Sequence, residues 1–224
     1  MPYPFAHPAA VLPLARFGVP SALAIGSVAP DLWYLVPLVD RAETHALAGL
    51  FWFCLPAGVA LYLLFHLVLK EPLIALLSPR LSAFACRGLP ARSWTAVILS
   101  LASGIATHFI WDALTHANTP RPSVNWLQHA NTAVGSAVLA WWIWRKLRSV
   151  PARTPRLSLA ARLGAFAAFV GVGLLWTLGS AEISPAFDLV GTRHLLRNAG
   201  ISALQGFSLA LVVYCFVFRC KMPL

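Results

Sequence analysis

Long apolar runs alternate along the chain with short polar or basic segments. A helix needs about 20 mostly apolar residues to cross the hydrocarbon of a bilayer. This pattern predicts an all-α fold, a polytopic bundle of membrane helices joined by short loops, with a polar loop at 182–198. We predict five full transmembrane helices, at residues 47–69, 95–114, 129–144, 160–181 and 199–218.

The N-terminal region is also apolar, but proline interrupts it. The stretches 8–17 and 20–29 each have about ten residues, too few to span hydrocarbon. The pattern favours a re-entrant or interfacial helical hairpin that brings His7 and Asp31 to the same side. The alternative is a single span over 19–38 with Asp31 at its middle, which three prolines would interrupt.

Composition agrees with a membrane location. Hydrophobic residues make up 59% of the 224 residues, and the mean hydropathy is +0.73. Only 11% of the residues are charged, against about 25% in an average soluble domain. The chain is therefore expected to be an integral membrane protein, here assigned to the bacterial cytoplasmic membrane, with membrane lipid as its surroundings.

The net charge of +10 raises the possibility of a nucleic-acid partner, but the positions of the basic residues argue against one. Twelve of the 17 lie in the segments 70–93 and 145–162 or in the C-terminal tail, next to apolar runs. The positive-inside rule explains this bias and makes these segments, including the C-terminus, cytoplasmic. The loops at 40–45, 117–128 and 182–198 then face outward.

One apolar run carries a polar stripe. His108, Asp112 and His116 are spaced four apart, which places them on one face of a helix, about 6 Å apart along its axis. Ionisable groups inside a membrane are costly and usually mark a functional site. The alternative is a polar seam that only holds helices together.

The predicted topology brings further histidines and acids to the outer end of this helix. Imidazole and carboxylate are the ligands that zinc accepts when no thiolate is present. A carboxylate such as Asp112 has two oxygens and can bridge two metals, and paired metals suit phosphoester hydrolysis. The candidate metal ligands are seven residues: His7, Asp31, His45, His108, Asp112, His116 and His129.

Several of these residues stand in recognisable motifs. The segments PFAHPAAVLPL, AIGSVAPDLWYL, HALAGLF, THFIWDALTH and NWLQHANTAVG resemble a family of bacterial membrane proteins known as domain of unknown function 4184. The resemblance covers roughly residues 1–150, interpreted as a metal-site membrane domain, with 151–224 as two scaffold helices. The motif order is also similar to membrane-bound predicted metal-dependent hydrolases. More distantly, it is similar to the zinc-dependent phospholipase C and P1 nuclease superfamily, whose helical members hold three zinc ions.

This resemblance implies a division of the ligands among zinc ions. His7 would hold a second ion and share Asp112, while His116 and His129 would hold a third. The superfamily has a glutamate four residues after the last histidine, where this chain has Ala133, so either two or three ions are expected. The first ion would be held by the residues also expected to act in catalysis, Asp31, His45, His108 and Asp112.

The predicted function is a membrane-embedded zinc-dependent hydrolase, acting at the extracytoplasmic face on phosphoester bonds of a phospholipid or lipid-linked substrate. Arg121, Trp126 and Arg193 lie in the outer loops and are candidate substrate contacts. The alternatives are a metal-ion or proton transporter that uses the same His/Asp cluster, and a structural membrane protein.

Overall fold

The computed structural model describes residues 4–35, 39–86, 93–116, 126–180 and 189–221, and all regular structure in these ranges is helical. The predicted all-α class is therefore confirmed. Short 3₁₀ segments at Pro4–Ala9, Leu12–Leu14 and Ala29–Tyr34 accompany the helices. The helices, numbered in chain order, are α1 Pro20–Val28, α2 Arg41–Thr44, α3 Leu47–Leu76, α4 Pro79–Ala85, α5 Trp94–His116, α6 Trp126–Leu147, α7 Leu159–Ser180 and α8 Leu189–Lys221.

Four helical stretches are long and apolar enough to cross a membrane: Leu47–Leu76, Trp94–Leu114, Leu159–Ser180 and Asn198–Cys220. The chain is therefore a helical membrane protein. The fifth predicted span, 129–144, lies within α6, which forms a helix of 22 residues but is not apolar enough to join these four. Its N-terminal half carries polar side chains, Asn131, Thr132 and Ser136 among them.

The N-terminal region does not form the alternative single span over 19–38. Helix α1 ends at Val28 and is followed by the 3₁₀ turn Ala29–Tyr34, because Pro30 has no N–H with which to continue the helical hydrogen bonds. Residues 36–38 lie outside the described part of the chain. Short broken segments, as in the predicted hairpin, therefore occupy this region.

Two loop predictions need correction. Residues 70–86 are mostly helical, because α3 continues to Leu76 and α4 follows, although we predicted a loop beginning at Lys70. Helix α8 begins at Leu189, within the predicted polar loop 182–198. In both places good helix formers such as Leu, Ala and Arg extend a neighbouring helix beyond its apolar part.

Helix α3 contains two π-helical segments, and each is followed, after one or two further residues, by a proline. Leu50–Cys54 comes before Pro56, and Phe65–Leu69 comes before Pro72. Proline lacks an N–H and crowds the carbonyl four residues earlier, and a wider turn at that point relieves the crowding. The helix thereby continues past both prolines.

The contacts divide the chain into two compact units, residues 1–66 with 83–152 and residues 67–82 with 153–224. In the first unit α1 packs lengthwise on α5, with Gly26 and Gly104 at the crossing. An added Cβ at Gly26 would overlap the Leu101 carbonyl oxygen, and one at Gly104 would overlap the Leu23 carbonyl oxygen. The two backbones can lie this close only because both positions are glycine.

The second unit is organised around the pair α7 and α8. Gly173 and Gly206 face each other where these helices meet, and Phe169 packs edge-on against Phe207 and Tyr214. The Arg156 guanidinium forms an ion pair with Glu71 at 3.0 Å. In the described part of this unit there is no group of His, Cys, Asp or Glu with metal-ligand spacing.

Candidate metal centre

Five buried side chains from four chain segments meet in the first unit. His7 comes from the 3₁₀ segment Pro4–Ala9, and Asp31 from the turn after α1. His45 follows α2 directly, and α5 supplies both His108 and Asp112. None of the five side chains is more than 12% exposed. Their meeting therefore depends on packing among all four segments.

The three imidazoles turn their Nε2 atoms toward the two carboxylates. His7 Nε2 lies 3.8 Å from Asp31 Oδ2 and 3.9 Å from Asp112 Oδ1. His45 Nε2 lies 3.7 Å from Asp31 Oδ1 and 3.5 Å from Asp112 Oδ2. His108 Nε2 is 4.0 Å and 3.7 Å from the same two oxygens. Each carboxylate therefore presents one oxygen to His7 and the other to the pair His45 and His108.

Backbone carbonyls fix the tautomers of two of these histidines. His108 Nδ1 lies 2.8 Å from the Ser27 carbonyl oxygen, and His45 Nδ1 lies 3.1 Å from the Arg41 carbonyl oxygen. A carbonyl only accepts hydrogen bonds, so each Nδ1 carries the proton and donates it. In the neutral rings, each Nε2 atom then carries a lone pair, and the two Nε2 atoms lie 3.2 Å apart.

The electrostatics of the pocket favour neutral His45 and oppose ionised Asp31. Burial, followed by the neighbouring charge of Arg41, lowers the pKa of His45 to about 4. Burial, followed by the charge of Asp112, raises the pKa of Asp31 to about 7, and Arg41 offsets part of this increase. At neutral pH the His45 ring is therefore uncharged, and the Arg41 guanidinium beside Asp112 only partly offsets the cost of the buried carboxylates.

The spacing suits ligands of a shared metal ion. Two ligands of a tetrahedral zinc, each about 2.0–2.1 Å from the metal, lie about 3.3 Å apart. Most of the nitrogen–oxygen distances here, 3.5–4.0 Å, are too long for hydrogen bonds but close to that separation. The ligand atoms of Asp31, His45 and His108 all lie within 4.8 Å of one another, as do those of His7, His108 and Asp112.

Neighbouring groups hold the ligands in place. The Thr44 hydroxyl donates to the Arg41 carbonyl at 3.1 Å and lies 3.0 Å from His45 Nδ1. The Cys54 thiol donates to the Thr44 carbonyl oxygen at 3.2 Å. The contact of Ser27 with His108 joins α1 to α5. Such outer partners orient ligand rings and raise their basicity.

Of the other predicted site residues, His129 is the one whose side chain the structure describes, and it does not join this group. His129 is exposed on α6. His116 ends α5, and its side chain lies outside the described part of the chain, as do those of Trp126 and Arg193. Arg121 lies wholly outside it. The structure therefore brings together five of the seven predicted ligands and leaves His129 elsewhere.

The sequence analysis missed one charged residue of the site. Arg41 Nη2 lies 3.1 Å from Asp112 Oδ2, and its side chain is 35% exposed. Its position four residues before His45, around one helical turn, is the signal that could have identified it. Ser27, which contacts His108 through its carbonyl, and Thr44, which contacts His45 through its hydroxyl, carried no comparable signal.

The fold and the site together define a class: a helical membrane protein with a buried cluster of histidines and aspartates at one end of its helix α5. The chain belongs to the family described as domain of unknown function DUF4184, whose model matches residues 1–121. This match contains all five clustered side chains and ends before the motif at 125–135 that we included in the resemblance. No curated protein and no solved structure matches the chain.

Proposed function

We propose that this protein is a membrane-embedded, metal-dependent hydrolase that cleaves phosphoester bonds in a lipid or lipid-linked substrate. The observation that supports it most strongly is the pair of Nε2 lone pairs of His45 and His108, 3.2 Å apart and facing two carboxylates. Acceptor groups repel one another in a buried pocket unless a proton or a metal cation lies among them, and the lowered pKa of His45 disfavours its protonation. Zinc is the metal that this donor set suits, with nitrogen and oxygen ligands and no thiolate.

The division of the carboxylate oxygens suggests two ions. One would be held by His45 and His108 with Asp31 Oδ1 and Asp112 Oδ2. The other would be held by His7 with Asp31 Oδ2 and Asp112 Oδ1. The ligand atoms of His108 and His7 are also close enough to share an ion. However, His108 donates its Nδ1 proton to Ser27, so the lone pair on Nε2 is the one left for a metal, and it can bind only one ion. Both carboxylates, and not Asp112 alone, would therefore bridge the two ions.

This arrangement suits hydrolysis of an anionic ester. Paired metal ions lower the pKa of a bound water and stabilise both the attacking and the leaving oxygen. The second ion would have only three protein ligands, which leaves a position for water or substrate. Two divalent ions and Arg41 exceed the charge of the two aspartates, so the site would attract a phosphoester more strongly than a neutral ester.

The surroundings of the site favour a lipid substrate. Leu47, Phe51 and Trp52 follow His45 closely in the chain, and 51–76% of each is exposed. On a membrane helix, exposed apolar side chains of this size face lipid tails. A substrate with an apolar tail could therefore lie along this part of α3 while its phosphate reaches the cluster.

The face of α5 beyond the cluster favours a hydrolase over a transporter. Ile105, Leu101 and Val97 continue the His108 face of α5, and each is at most 2% exposed. They pack in two apolar groups with residues of α1 and α3. A path for ions or protons through the membrane needs polar groups along its length, and these residues supply none.

Metal analysis of the purified protein tests the proposal. The wild type should contain one to two zinc ions per chain, and His45→Ala and His108→Ala should each lose at least one of them. His129→Ala is the matched control, because it removes an exposed histidine outside the cluster and should leave the zinc content unchanged. Zinc-loaded wild type should release phosphate or a phosphorylated headgroup from phospholipid vesicles, and chelation should abolish this activity.

Three outcomes would contradict the proposal. A wild-type protein without bound metal at neutral pH would remove its basis. Equal zinc loss in the His45 and His129 variants would show that the metal binds elsewhere. Metal uptake into proteoliposomes without any hydrolysis would favour the transporter.

A further inference from the structure

Arg41 contacts the cluster and is more exposed than any of its five ligands. Its side chain is 35% exposed, against 12% for Asp112 and His45 and at most 5% for the other three. The guanidinium is therefore partly open to the surroundings while it contacts a buried ligand. A substrate group approaching from that side would meet Arg41 first.

The Arg41 guanidinium has an N–H donor that is not used in a hydrogen bond. Arginine has five N–H donors, and Arg41 Nη2 directs one of them toward Asp112 Oδ2 at 3.1 Å. Within the described part of the chain, Arg41 Nε is buried with no hydrogen-bond partner. A buried donor without a partner destabilises the protein, and a ligand with acceptor oxygens would remove this cost.

The backbone of the same residue fixes the position of the side chain. The Arg41 carbonyl oxygen accepts from His45 Nδ1 and from the Thr44 hydroxyl. Arg41 is thus attached to a cluster histidine through its main chain and to a cluster aspartate through its side chain. This holds the guanidinium beside the ligand atoms, where a reacting group would have to lie.

We propose that Arg41 binds the anionic group of the substrate, a phosphate or phosphoester, directly beside the metal ligands. This inference rests on the proposed function. When a cation shares the charge of Asp112, the attraction between that carboxylate and Arg41 weakens. The planar fork of N–H donors then engages two phosphate oxygens, a geometry that the point charge of a lysine does not reproduce.

Two acidic residues near Arg41 would oppose anion binding, but weakly. Asp40 and Glu43 are both exposed in the same segment. Exposed charges are screened by water and salt, whereas the contact of Arg41 with the buried Asp112 is screened much less. The field at the guanidinium is therefore determined mainly by the cluster.

Phosphate binding by the full-length, zinc-loaded protein tests this role. Inorganic phosphate is titrated calorimetrically into the wild type and into Arg41→Gln, Arg41→Lys and Arg16→Gln, and bound zinc is measured for each. Arg41→Gln should retain its zinc but bind phosphate at least tenfold more weakly, and Arg41→Lys should be intermediate. Arg16→Gln removes the same charge from an exposed position and should bind like the wild type.

The outcomes separate this inference from the proposed function. Unchanged phosphate affinity in Arg41→Gln would overturn the inference, as would zinc-loaded wild type that binds no phosphate. Loss of zinc in Arg41→Gln would also overturn it and make Arg41 a positioning residue for Asp112. Absence of zinc from the wild type would overturn both proposals, whereas zinc bound through His45 and His108 leaves the proposed function standing.

Discussion

At the scale of single residues, Asp31 and Asp112 place two carboxylates in one buried pocket, with the Arg41 guanidinium beside Asp112. Asp31 is 5% exposed, and burial together with the charge of Asp112 raises its pKa to about 7. Such an arrangement destabilises the folded chain when no cation is bound. Its presence in a packed interior indicates a function that depends on both acids.

Because the pKa of Asp31 is raised, the destabilisation of the metal-free protein by this carboxyl depends on pH. The Asp31 carboxyl ionises near pH 7 in the folded chain, against an ordinary value of 3.8. Between these values the unfolded chain has released a proton that the folded chain still holds, so this group lowers the free energy of unfolding as pH rises. Above pH 7 Asp31 is ionised in both states, and its destabilising effect no longer increases with pH.

Asp31→Asn should therefore stabilise the metal-free protein. With chelator at pH 8, we expect a free energy of unfolding about 1–3 kcal/mol above that of the wild type, and the difference should disappear near pH 4. Zinc should stabilise the wild type but not this variant, because a ligand has been removed. Thermal unfolding in detergent, with and without zinc, measures both effects.

The variant must be compared with the wild type because His45 changes the free energy of unfolding with pH in the direction opposite to Asp31. Its pKa, lowered to about 4, makes it raise the free energy of unfolding as pH rises from about 4 to 6.5. This contribution is present in both proteins and largely cancels in their difference. A variant less stable than the wild type at pH 8 with chelator would contradict the cost assigned to Asp31.

At the scale of elements, the contact between α1 and α5 determines the site. Ser27 on α1 holds His108 on α5, and the turn that follows α1 carries Asp31. Gly104 allows the two backbones to lie against each other, since an added Cβ there would overlap the Leu23 carbonyl oxygen. Separation of these helices would therefore move a ligand and break the contact that fixes a tautomer.

Gly104→Ala should reduce both stability and metal binding. We expect the free energy of unfolding to fall by about 1–3 kcal/mol, because the helices must move apart to accept a methyl group. Bound zinc should fall with it. The control is Gly164→Ala on α7, where nothing lies within 4 Å and alanine is the better helix former.

Thermal unfolding and zinc content of the two variants give the comparison. If Gly104→Ala retained full stability and zinc, the close crossing would not be required for the site. Equal losses in both glycine variants would point to a general effect of substitution in membrane helices.

The order of helices could largely be predicted from the sequence, whereas the short segments could not. Runs of apolar residues predict α3, α5, α7 and α8 because lipid favours any long apolar helix. The 3₁₀ segments and the one-turn helix α2 have no periodicity of their own. The segment Pro4–Ala9 is held by contacts with α6 and α1, and α2 by contacts with the turn Ala29–Tyr34 and with α3. Only the packed chain supplies these contacts.

At the scale of the whole molecule, α6 decides on which side of the membrane the later segments lie. Its 22 residues give a length of about 33 Å, enough to cross about 30 Å of hydrocarbon, although its composition is polar for a span. The positive-inside rule places residues 70–93 and 145–162 on one side, and this requires α6 to cross. With α6 crossing, the same rule predicts a cytoplasmic C-terminus.

Cysteine labelling in intact cells tests this topology. In a variant whose four native cysteines are serine, Ala42→Cys should react with a membrane-impermeant maleimide, and Thr154→Cys should react only after permeabilisation. Both positions are exposed, and neither substitution alters the charge bias. Reaction of both from outside would mean that α6 does not cross, and a reversed result would invert the predicted orientation.

The sequence by itself determined the class of protein, four of its membrane helices, and the one face of α5 that carries His108 and Asp112. These follow from composition and from the helical repeat, which are local properties of the chain. Only the tertiary structure decided which of the seven candidates meet, that Arg41 joins them while His129 does not, and that each carboxylate divides its oxygens between His7 and the other two histidines. Distances of 3–4 Å between atoms far apart in the chain depend on how α1, α5 and the short segments pack, and no local pattern encodes that packing.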